Sequence, residues 1–187
     1  NQERLAEMGI EFTNAHTASP CCAPSRMAIL SGRRPSTTGC YLNAHWLHPH
    51  RPDLVTMPYL FKQNGYTTFA AGKVYHHTPG FNPPYQWDEH YNLEFKDEYD
   101  KNGNLIFPPP SIGGGLAKLP WKTRIDWGTL NRPESEYDDS ITVDRSIEFL
   151  NRDHTKPFFL ACGIYRPHIP WYVPKRYVDM YPLDEIK

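Results

Sequence analysis

The stretch Pro157-Phe158-Phe159-Leu160-Ala161-Cys162-Gly163-Ile164 is a nearly continuous apolar run that begins directly after a proline. A run of this length is typical of a strand that is buried on both faces in a parallel sheet. Residues 137–152, just before it, carry apolar side chains at helical spacing, and the proline separates the two segments. A helix that leads into a buried strand is the repeating unit of an α/β fold.

The rest of the chain alternates helical and strand-like patterns in the same way. The other predicted elements are a helix end at residues 4–8, a strand at 10–15, helices at 25–30 and 57–64, and a strand at 67–71. This alternation predicts an α/β fold in which helices sandwich a mixed or parallel sheet. Ligands of such sheets bind where strands end, so the residues after each strand are the candidates for function.

The composition excludes several classes of partner. A formal net charge of −1 over 187 residues predicts no nucleic-acid partner. No apolar run approaches the length of about 18 residues that spans a bilayer, so no membrane partner is predicted. Four cysteines in a chain of this length do not make a disulfide framework. Cys162 lies in an apolar run, where a buried and unreactive thiol is expected.

Residues 78–133 have an unusual composition. They hold many of the 19 prolines, including Pro108-Pro109-Pro110, and the run Gly113-Gly114-Gly115. The segment has too many prolines and glycines for regular structure, and too many aromatic residues for simple disorder. We interpret it as a long ordered insertion that covers a site, with a flexible linker as the alternative.

Thiol, cationic and imidazole side chains follow the three predicted strands. Their convergence at one edge of a sheet suggests a site for an anionic group. N–H groups at the start of the helix near Cys22 would add to the attraction. The side chains are Cys22, Ser25 and Arg26 after the first strand, Lys73, His76 and His77 after the second, and Arg166 and His168 after the third.

Each of these side chains has a simpler interpretation when taken alone. Lys73 fits a solvated turn, and His76 fits a surface histidine. Arg166-Pro167-His168 fits a rigid surface turn. Cys22 also fits the reactive thiol of a cysteine hydrolase, made more acidic by a helix N-terminus and a nearby arginine.

The segment Cys22-Ala23-Pro24-Ser25-Arg26 distinguishes between these interpretations. It resembles the Cys-x-Pro-Ser-Arg signature of type I sulfatases, in which the cysteine is oxidised to formylglycine. Four fixed positions make this a specific signal. Cys21 is adjacent, but only Cys22 has a proline two residues later and an arginine four residues later. The resemblance therefore predicts Cys22 as the converted residue.

Further runs carry the same resemblance over most of the chain. Gly72-Lys73-Val74-Tyr75-His76 resembles the second motif of the family, and Tyr165-Arg166-Pro167-His168-Ile169-Pro170 resembles the third. Gly32-Arg33-Arg34-Pro35 and Tyr181-Pro182-Leu183 are similar to the branch that includes iduronate-2-sulfatase. Residues 78–133 agree poorly. The resemblance implies an alkaline-phosphatase-like fold.

The resemblance also implies an activity. A sulfuric ester hydrolase would remove sulfate from a sulfated sugar, for which a uronate 2-sulfate is one candidate. The hydrated formylglycine attacks sulfur and later expels sulfate. The implied roles are Arg26 and Lys73 as ligands of the hydrate and the sulfate, His76 as an aid to deprotonation, His168 as a sulfate ligand and candidate general acid, and Arg166 as a further substrate-binding residue.

The family uses Ca²⁺, which carboxylate oxygens and one oxygen of the residue derived from Cys22 would bind. Conversion of the cysteine needs a formylglycine-generating enzyme or an anaerobic maturase as a partner. A sulfated carbohydrate is the expected substrate partner. The full-length protein is expected in the periplasm, in the lysosome or outside the cell, although no signal peptide opens this chain.

The chain departs from the family pattern at the metal site. The paired aspartates of the family precede the segment that resembles residues 1–16, and its later metal ligands follow residue 187. Asp138-Asp139 is a pair, but its place at the start of a helix favours a capping role. We therefore interpret residues 1–187 as the N-terminal portion of one catalytic domain, which alone is expected to lack activity.

Two alternatives share the fold. One is a phosphonate or phosphate monoester hydrolase that also uses formylglycine. The other is an inactive, sugar-binding homologue in which Cys22 stays unconverted.

Overall fold

The computed structural model describes residues 2–45, 51, 53–76, 84–91, 127–129, 133–169 and 171–186. Within these ranges, each helix is too short or too polar to cross a bilayer. The helices are α1 (Gln2–Glu7), α2 (Cys22–Ser31), α3 (Pro35–Thr38), α4 (Met57–Gln63), α5 (Asp138–Leu150) and α6 (Lys175–Val178). The strands are β1 (Thr67–Gly72), β2 (Glu89–Tyr91), β3 (Trp127–Thr129), β4 (Phe158–Gly163) and β5 (Trp171–Val173), and 3₁₀ turns occupy Pro84–Gln86 and Glu134–Glu136.

Strand β1 is the centre of a three-stranded parallel sheet with the order β2-β1-β4. It pairs with β4 along its whole length, from Thr67 opposite Phe158 to Gly72 opposite Gly163. Strands β3 and β5 form a second, two-stranded parallel pair. The predicted α/β class is confirmed, because parallel strands alternate with helices along the chain.

The two faces of β1 pack against different helices, since side chains alternate along a strand. Ala70 belongs to a buried cluster with Ala23 and Met27 of α2. Phe69 faces the other way and stacks on Phe149 of α5, with ring centroids 4.5 Å apart. Helices therefore cover both faces of the sheet, as predicted.

At their carboxyl ends β1 and β4 approach more closely than side chains would allow. A Cβ atom on Gly72 would lie 2.3 Å from the carbonyl oxygen of Gly163, and one on Gly163 would lie 2.3 Å from the carbonyl carbon of Lys73. Gly72 also has a φ of +70°, a conformation that glycine tolerates best. The backbone N–H of Lys73 donates to the oxygen of Gly163 at 2.8 Å. Two glycines thus fix where the chain leaves β1.

Three details differ from the sequence-based predictions. Residues 10–15 are not a strand: they are exposed, and no described residue pairs with them in a sheet. The helix predicted from residue 25 begins at Cys22, because Pro24 is compatible with a first helical turn. Cys162 is exposed rather than buried, since β4 is an edge strand of the described sheet and is only partly covered.

Most of the predicted insertion at 78–133 lies outside the described residues. Its described parts include strand β2, which extends the central sheet, and strand β3. The turn before β2 is anchored through the buried Gln86. The side-chain oxygen of Gln86 accepts hydrogen bonds from the hydroxyl of Thr56, at 2.5 Å, and from the hydroxyl of Tyr75. The carbonyl oxygen of Gln86 accepts a third, from the hydroxyl of Thr68 at 2.9 Å.

Replacing Phe149 by alanine is expected to lower the free energy of unfolding by about 3–5 kcal/mol, because a cavity would replace a buried aromatic ring. Leu150, the next residue of the same helix, is 50% exposed, and its replacement by alanine should cost about 0.5 kcal/mol. Denaturant titration of both variants measures the difference, and equal losses would contradict the packing described.

Gly163→Ala is expected to destabilise the protein by about 1–3 kcal/mol or more, because the added methyl group overlaps the backbone of Lys73. Gly9→Ala is the matched control, since a Cβ there would meet its nearest atom at 3.7 Å. That change should shift stability by no more than about 0.5 kcal/mol. Thermal denaturation of the two variants provides the comparison.

Candidate functional site

Cys22 is the first residue of helix α2, and a distant asparagine organises this end of the helix. The side-chain oxygen of Asn43 accepts the N–H of Ala23 at 2.8 Å and the thiol of Cys21 at 3.1 Å. The N–H of Ser25 donates to the carbonyl oxygen of Cys21, and proline at the intervening position has no N–H. The N–H groups of Ala23 and Ser25 thus already donate within the protein and are not free to bind an anion directly.

Arg26, one turn further along α2, joins this helix to the end of β1. One terminal nitrogen, Nη1, donates to the carbonyl oxygens of Lys73, at 2.5 Å, and Val74, at 2.8 Å. These bonds satisfy backbone carbonyls that follow the last residue of the strand. Arg26 thereby holds the segment with Lys73 against the helix that begins at Cys22.

Lys73 and His76 follow β1 and are nearly buried, with exposures of 7% and 6%. The ammonium group of Lys73 lies 4.4 Å from the centroid of the Tyr165 ring, within the range of a cation–π interaction. His77, also predicted here, lies outside the described residues. The hydroxyl of Ser25 lies 2.9 Å from that of Thr17.

The loop after β4 carries Tyr165, Arg166 and His168. The His168 ring lies 4.8 Å from the Tyr165 ring, and its Nδ1 lies 2.7 Å from the carbonyl oxygen of Ile169. The Arg166 guanidinium lies 5.0 Å from the same Tyr165 ring. Its Nε donates to the oxygen of Tyr172 at 3.3 Å, whereas its Nη1 is buried with no hydrogen-bond partner among the described residues.

Burial lowers the pKa of two cations in this group, Lys73 and Arg26. Burial lowers the pKa of Lys73 to about 8, and repulsion from Arg26 and Arg166 adds to this effect, while attraction to the Cys22 thiolate opposes it. Burial also lowers the pKa of Arg26, against the influence of Cys22 and Tyr165. A bound anion would offset both the repulsion and the burial.

Burial and nearby positive charge also affect the imidazole rings of His76 and His168. Burial, together with the charges of Lys73 and Arg26, lowers the pKa of His76 to about 4. Burial lowers the pKa of His168 as well; the hydrogen bond with Ile169 opposes this, and the charge of Lys73 adds to it. Both rings are therefore neutral near pH 7 in the chain without a ligand, and a neutral imidazole can accept a proton.

Electrostatic interactions link six of the eight side chains predicted from the sequence into one cluster. They are Cys22, Arg26, Lys73, His76, Arg166 and His168. The elements that supply them differ from the prediction in one respect. Two groups follow the strands β1 and β4, but the first belongs to a helix N-terminus, because residues 10–15 are not a strand. The catalytic roles of the six stay predictions.

The described members of the cluster lack the carboxylate oxygens that calcium prefers. Its members carry positive charge or become positive on protonation, apart from the thiol of Cys22. Within the described part of the chain, no group of three or more His, Cys, Asp or Glu side chains could hold a metal ion. The described residues therefore do not form a calcium site by themselves.

Three residues that support the cluster were not predicted from the sequence: Asn43, Asp139 and Tyr165. Asn43 acts on α2 from 20 residues away, and no motif marks it. Tyr165 lies within the third motif, but nothing in the local sequence predicts its contact with Lys73. Asp139 was predicted to cap a helix; the N-cap is Tyr137, and Asp139 instead accepts N–H groups from the loop after β4.

Comparisons with known proteins agree on one family. The Sulfatase family model matches residues 1–185. A protein named Sulfatase from Formosa agariphila is 36% identical to this chain, over all of the chain and 38% of that protein. Iduronate 2-sulfatase from Homo sapiens is 34% identical, over all of the chain and 34% of that protein. The chain thus spans somewhat over a third of the length of these relatives.

Solved structures share the fold. One, in complex with its substrate D-glucosamine-2-N,6-O-disulfate, is 25% identical with a TM-score of 0.63, and the match covers 96% of this chain and 32% of that one. The phosphonate monoester hydrolase of Agrobacterium radiobacter is 15% identical with a TM-score of 0.61, covering 89% and 35%, which shows likeness of fold only. With the family model covering nearly all residues and two relatives above 30% identity over the whole chain, the chain belongs to the sulfatase family.

Proposed function

We propose that the full-length protein hydrolyses the sulfate ester of a sulfated sugar, and that residues 1–187 supply the nucleophile and most of the sulfate-binding cations. The chain would form part of a single catalytic domain, with residues 78–133 as an insertion near the site. The single catalytic domain and the insertion are both inferred from the sequence. The proposal on chemistry rests on the cluster around Cys22.

The observation that carries the proposal is that three clustered cations have no carboxylate partner among the described residues. Every ion pair in this part of the chain uses other cations, and all of these pairs are exposed or partly exposed. Arg26, Lys73 and Arg166 instead lie together, and Lys73 is only 7% exposed. Positive charge that is buried without a counter-ion is costly unless an anion completes the site.

A sulfate ester has the charge and the acceptors that this cluster lacks. Lys73 would act as a point charge on one sulfate oxygen. Arg166 has a buried Nη1 without a partner among the described residues, and this group would donate to a second acceptor. Arg26 already uses Nη1 on backbone carbonyls, so its contribution is the placement of Lys73 together with a fixed positive charge.

The histidines would move protons. His76 is neutral near pH 7 and could accept a proton from a nucleophile derived from Cys22. In neutral His168, Nδ1 carries the proton that it donates to the carbonyl oxygen of Ile169, because a carbonyl only accepts. Nε2 of His168 must therefore gain a proton before it can protonate a leaving group, and a bound sulfate would favour that gain.

We further propose that Cys22 is converted to formylglycine by a maturation enzyme, either aerobic or anaerobic. The hydrated aldehyde would supply an oxygen nucleophile for sulfur. Helix α2 would orient this group, because Asn43 fixes the first turn from outside the helix. Calcium would need ligands beyond the described residues, and the full-length protein is proposed to act in an extracytoplasmic compartment or in the lysosome.

The substrate class is inferred from the relatives. Their names include iduronate 2-sulfatase and N-acetylgalactosamine-6-sulfatase, and one similar structure contains a sulfated glucosamine. A sulfated sugar is common to all three. A uronate 2-sulfate is the specific candidate, because iduronate 2-sulfatase matches the whole chain.

Mass spectrometry of the peptide that contains Cys21 and Cys22 tests the conversion. In protein purified from its native host, the peptide is expected to be about 18 Da lighter than the cysteine form, with the change located at Cys22. Cys21→Ala is the matched control and should retain the change, whereas Cys22→Ala should lose it. An unmodified Cys22 in active protein would contradict the proposal.

Lys73→Gln in the full-length protein is expected to lower kcat/KM for an aryl sulfate by about 10²–10³-fold, because a preorganised positive charge is removed from the sulfate oxygens. The control is Lys156→Gln, which changes an exposed lysine. It should leave kcat/KM within about twofold. Steady-state kinetics with matched aryl sulfate and aryl phosphate esters give the measurement. A clear preference for the phosphate ester would favour the phosphate or phosphonate monoester hydrolase instead.

A further inference from the structure

The carboxylate of Asp139 is bound to the loop that carries Arg166 and His168. One carboxylate oxygen accepts the backbone N–H of Tyr165 at 2.6 Å, and the other accepts the N–H of Arg166 at 3.0 Å. Two successive N–H groups thus point into one carboxylate. Charge-assisted bonds of this kind are stronger than bonds between neutral groups.

The two residues that Asp139 binds, Tyr165 and Arg166, belong to the surroundings of the cluster. The Tyr165 ring lies 4.4 Å from the ammonium group of Lys73 and 4.8 Å from the ring of His168. Arg166 lies against the same ring, with its guanidinium 5.0 Å from the centroid. Because Tyr165 contacts all three of these groups, a shift of its backbone would move the ring that supports them.

Asp139 belongs to helix α5, which is packed firmly against the sheet. It lies in the first turn of the 13-residue helix α5, whose Phe149 is 1% exposed and stacks on Phe69 of β1. The same helix packs Thr142 against Gly72, the last residue of β1. Helix α5 therefore contacts the exit of β1 through Thr142 and the exit of β4 through Asp139. A site held by such an element is more precise than one held by loops alone.

We propose that Asp139 is a positioning residue of the sulfate site, which fixes Tyr165 and Arg166 so that the Tyr165 ring orients Lys73 and His168. The proposal rests on the proposed function. Asp139 touches backbone N–H groups rather than the reacting atoms, so its effect passes through the loop. A purely helix-stabilising aspartate would act on stability and leave sulfate binding unchanged.

The experiment compares Asp139→Ala, Asp139→Asn and Asp144→Ala in the full-length protein. Asp144 is a matched control because it is an exposed aspartate on the same helix, five residues further along. For each protein, calorimetry gives the Kd of inorganic sulfate, and steady-state kinetics with an aryl sulfate give kcat and KM. Hydrogen–deuterium exchange of the peptide spanning 158–169 reports on the loop without any reference to activity.

Asp139→Ala is expected to weaken sulfate binding and lower kcat/KM by about tenfold to a hundredfold, the usual effect of losing a group that orients a binding residue. Exchange at the N–H groups of Tyr165 and Arg166 should speed up in the same variant. Asp139→Asn should lie between Asp139→Ala and the unchanged protein, because an amide oxygen still accepts hydrogen bonds. Asp144→Ala should stay within about twofold of the unchanged protein.

Two outcomes would overturn the proposal. One is faster exchange in Asp139→Ala with unchanged sulfate affinity and kcat/KM. The other is an equal loss in all three variants, which would indicate a general charge effect. If Asp139→Ala does not fold, Asp139→Asn decides: faster exchange together with weaker sulfate binding supports the proposal, and unchanged sulfate binding rejects it. If the unchanged protein neither binds sulfate nor cleaves the ester, the proposed function fails, and the exchange result still decides whether Asp139 holds the loop.

Discussion

The close approach of strands β1 and β4 at Gly72 and Gly163 is the constraint on which the site depends. With no side chain on either residue, the backbone of Lys73 can lie against Gly163 and donate to its oxygen at 2.8 Å. The carbonyl oxygen of Lys73 accepts a hydrogen bond from Arg26 of α2. Lys73 is therefore held by backbone contacts on two sides, and its side chain is left for the cluster.

The same arrangement explains how unpaired positive charge is tolerated. The Tyr165 ring gives Lys73 an electron-rich surface at 4.4 Å without the competition that a carboxylate would bring. A carboxylate is present nearby, but Asp139 is occupied by two backbone N–H groups. Asp139 therefore binds the loop, and the cations stay available for the sulfate group that we propose as their ligand. Such preorganisation costs stability in the free protein and favours binding of a charged ligand.

Local periodicity in the sequence predicted the fold class, and short motifs predicted the members of the cluster. The apolar run at 158–164 and the helical stripe before it depend on local periodicity, so strand β4 and helix α5 were located within a few residues. The six side chains were selected because short motifs carry them. Residues 10–15 were predicted wrongly, because alternation of apolar and polar residues describes a strand only where a neighbouring strand exists. Asn43 and Asp139 were not recognised as supports, because a hydrogen bond across 20 or 26 residues leaves no trace in local pattern.

Gln86 has a consequence for how this protein can vary. It contacts Tyr75 and Thr56 through its buried side chain and Thr68 through its carbonyl, so the chain is tied together on both sides of residues 77–83. His76 lies just before that connection and Gln86 just after it. In evolutionary terms, Gln86, Thr56 and Tyr75 form one hydrogen-bonded unit, so a change at one of them is expected to affect the other two.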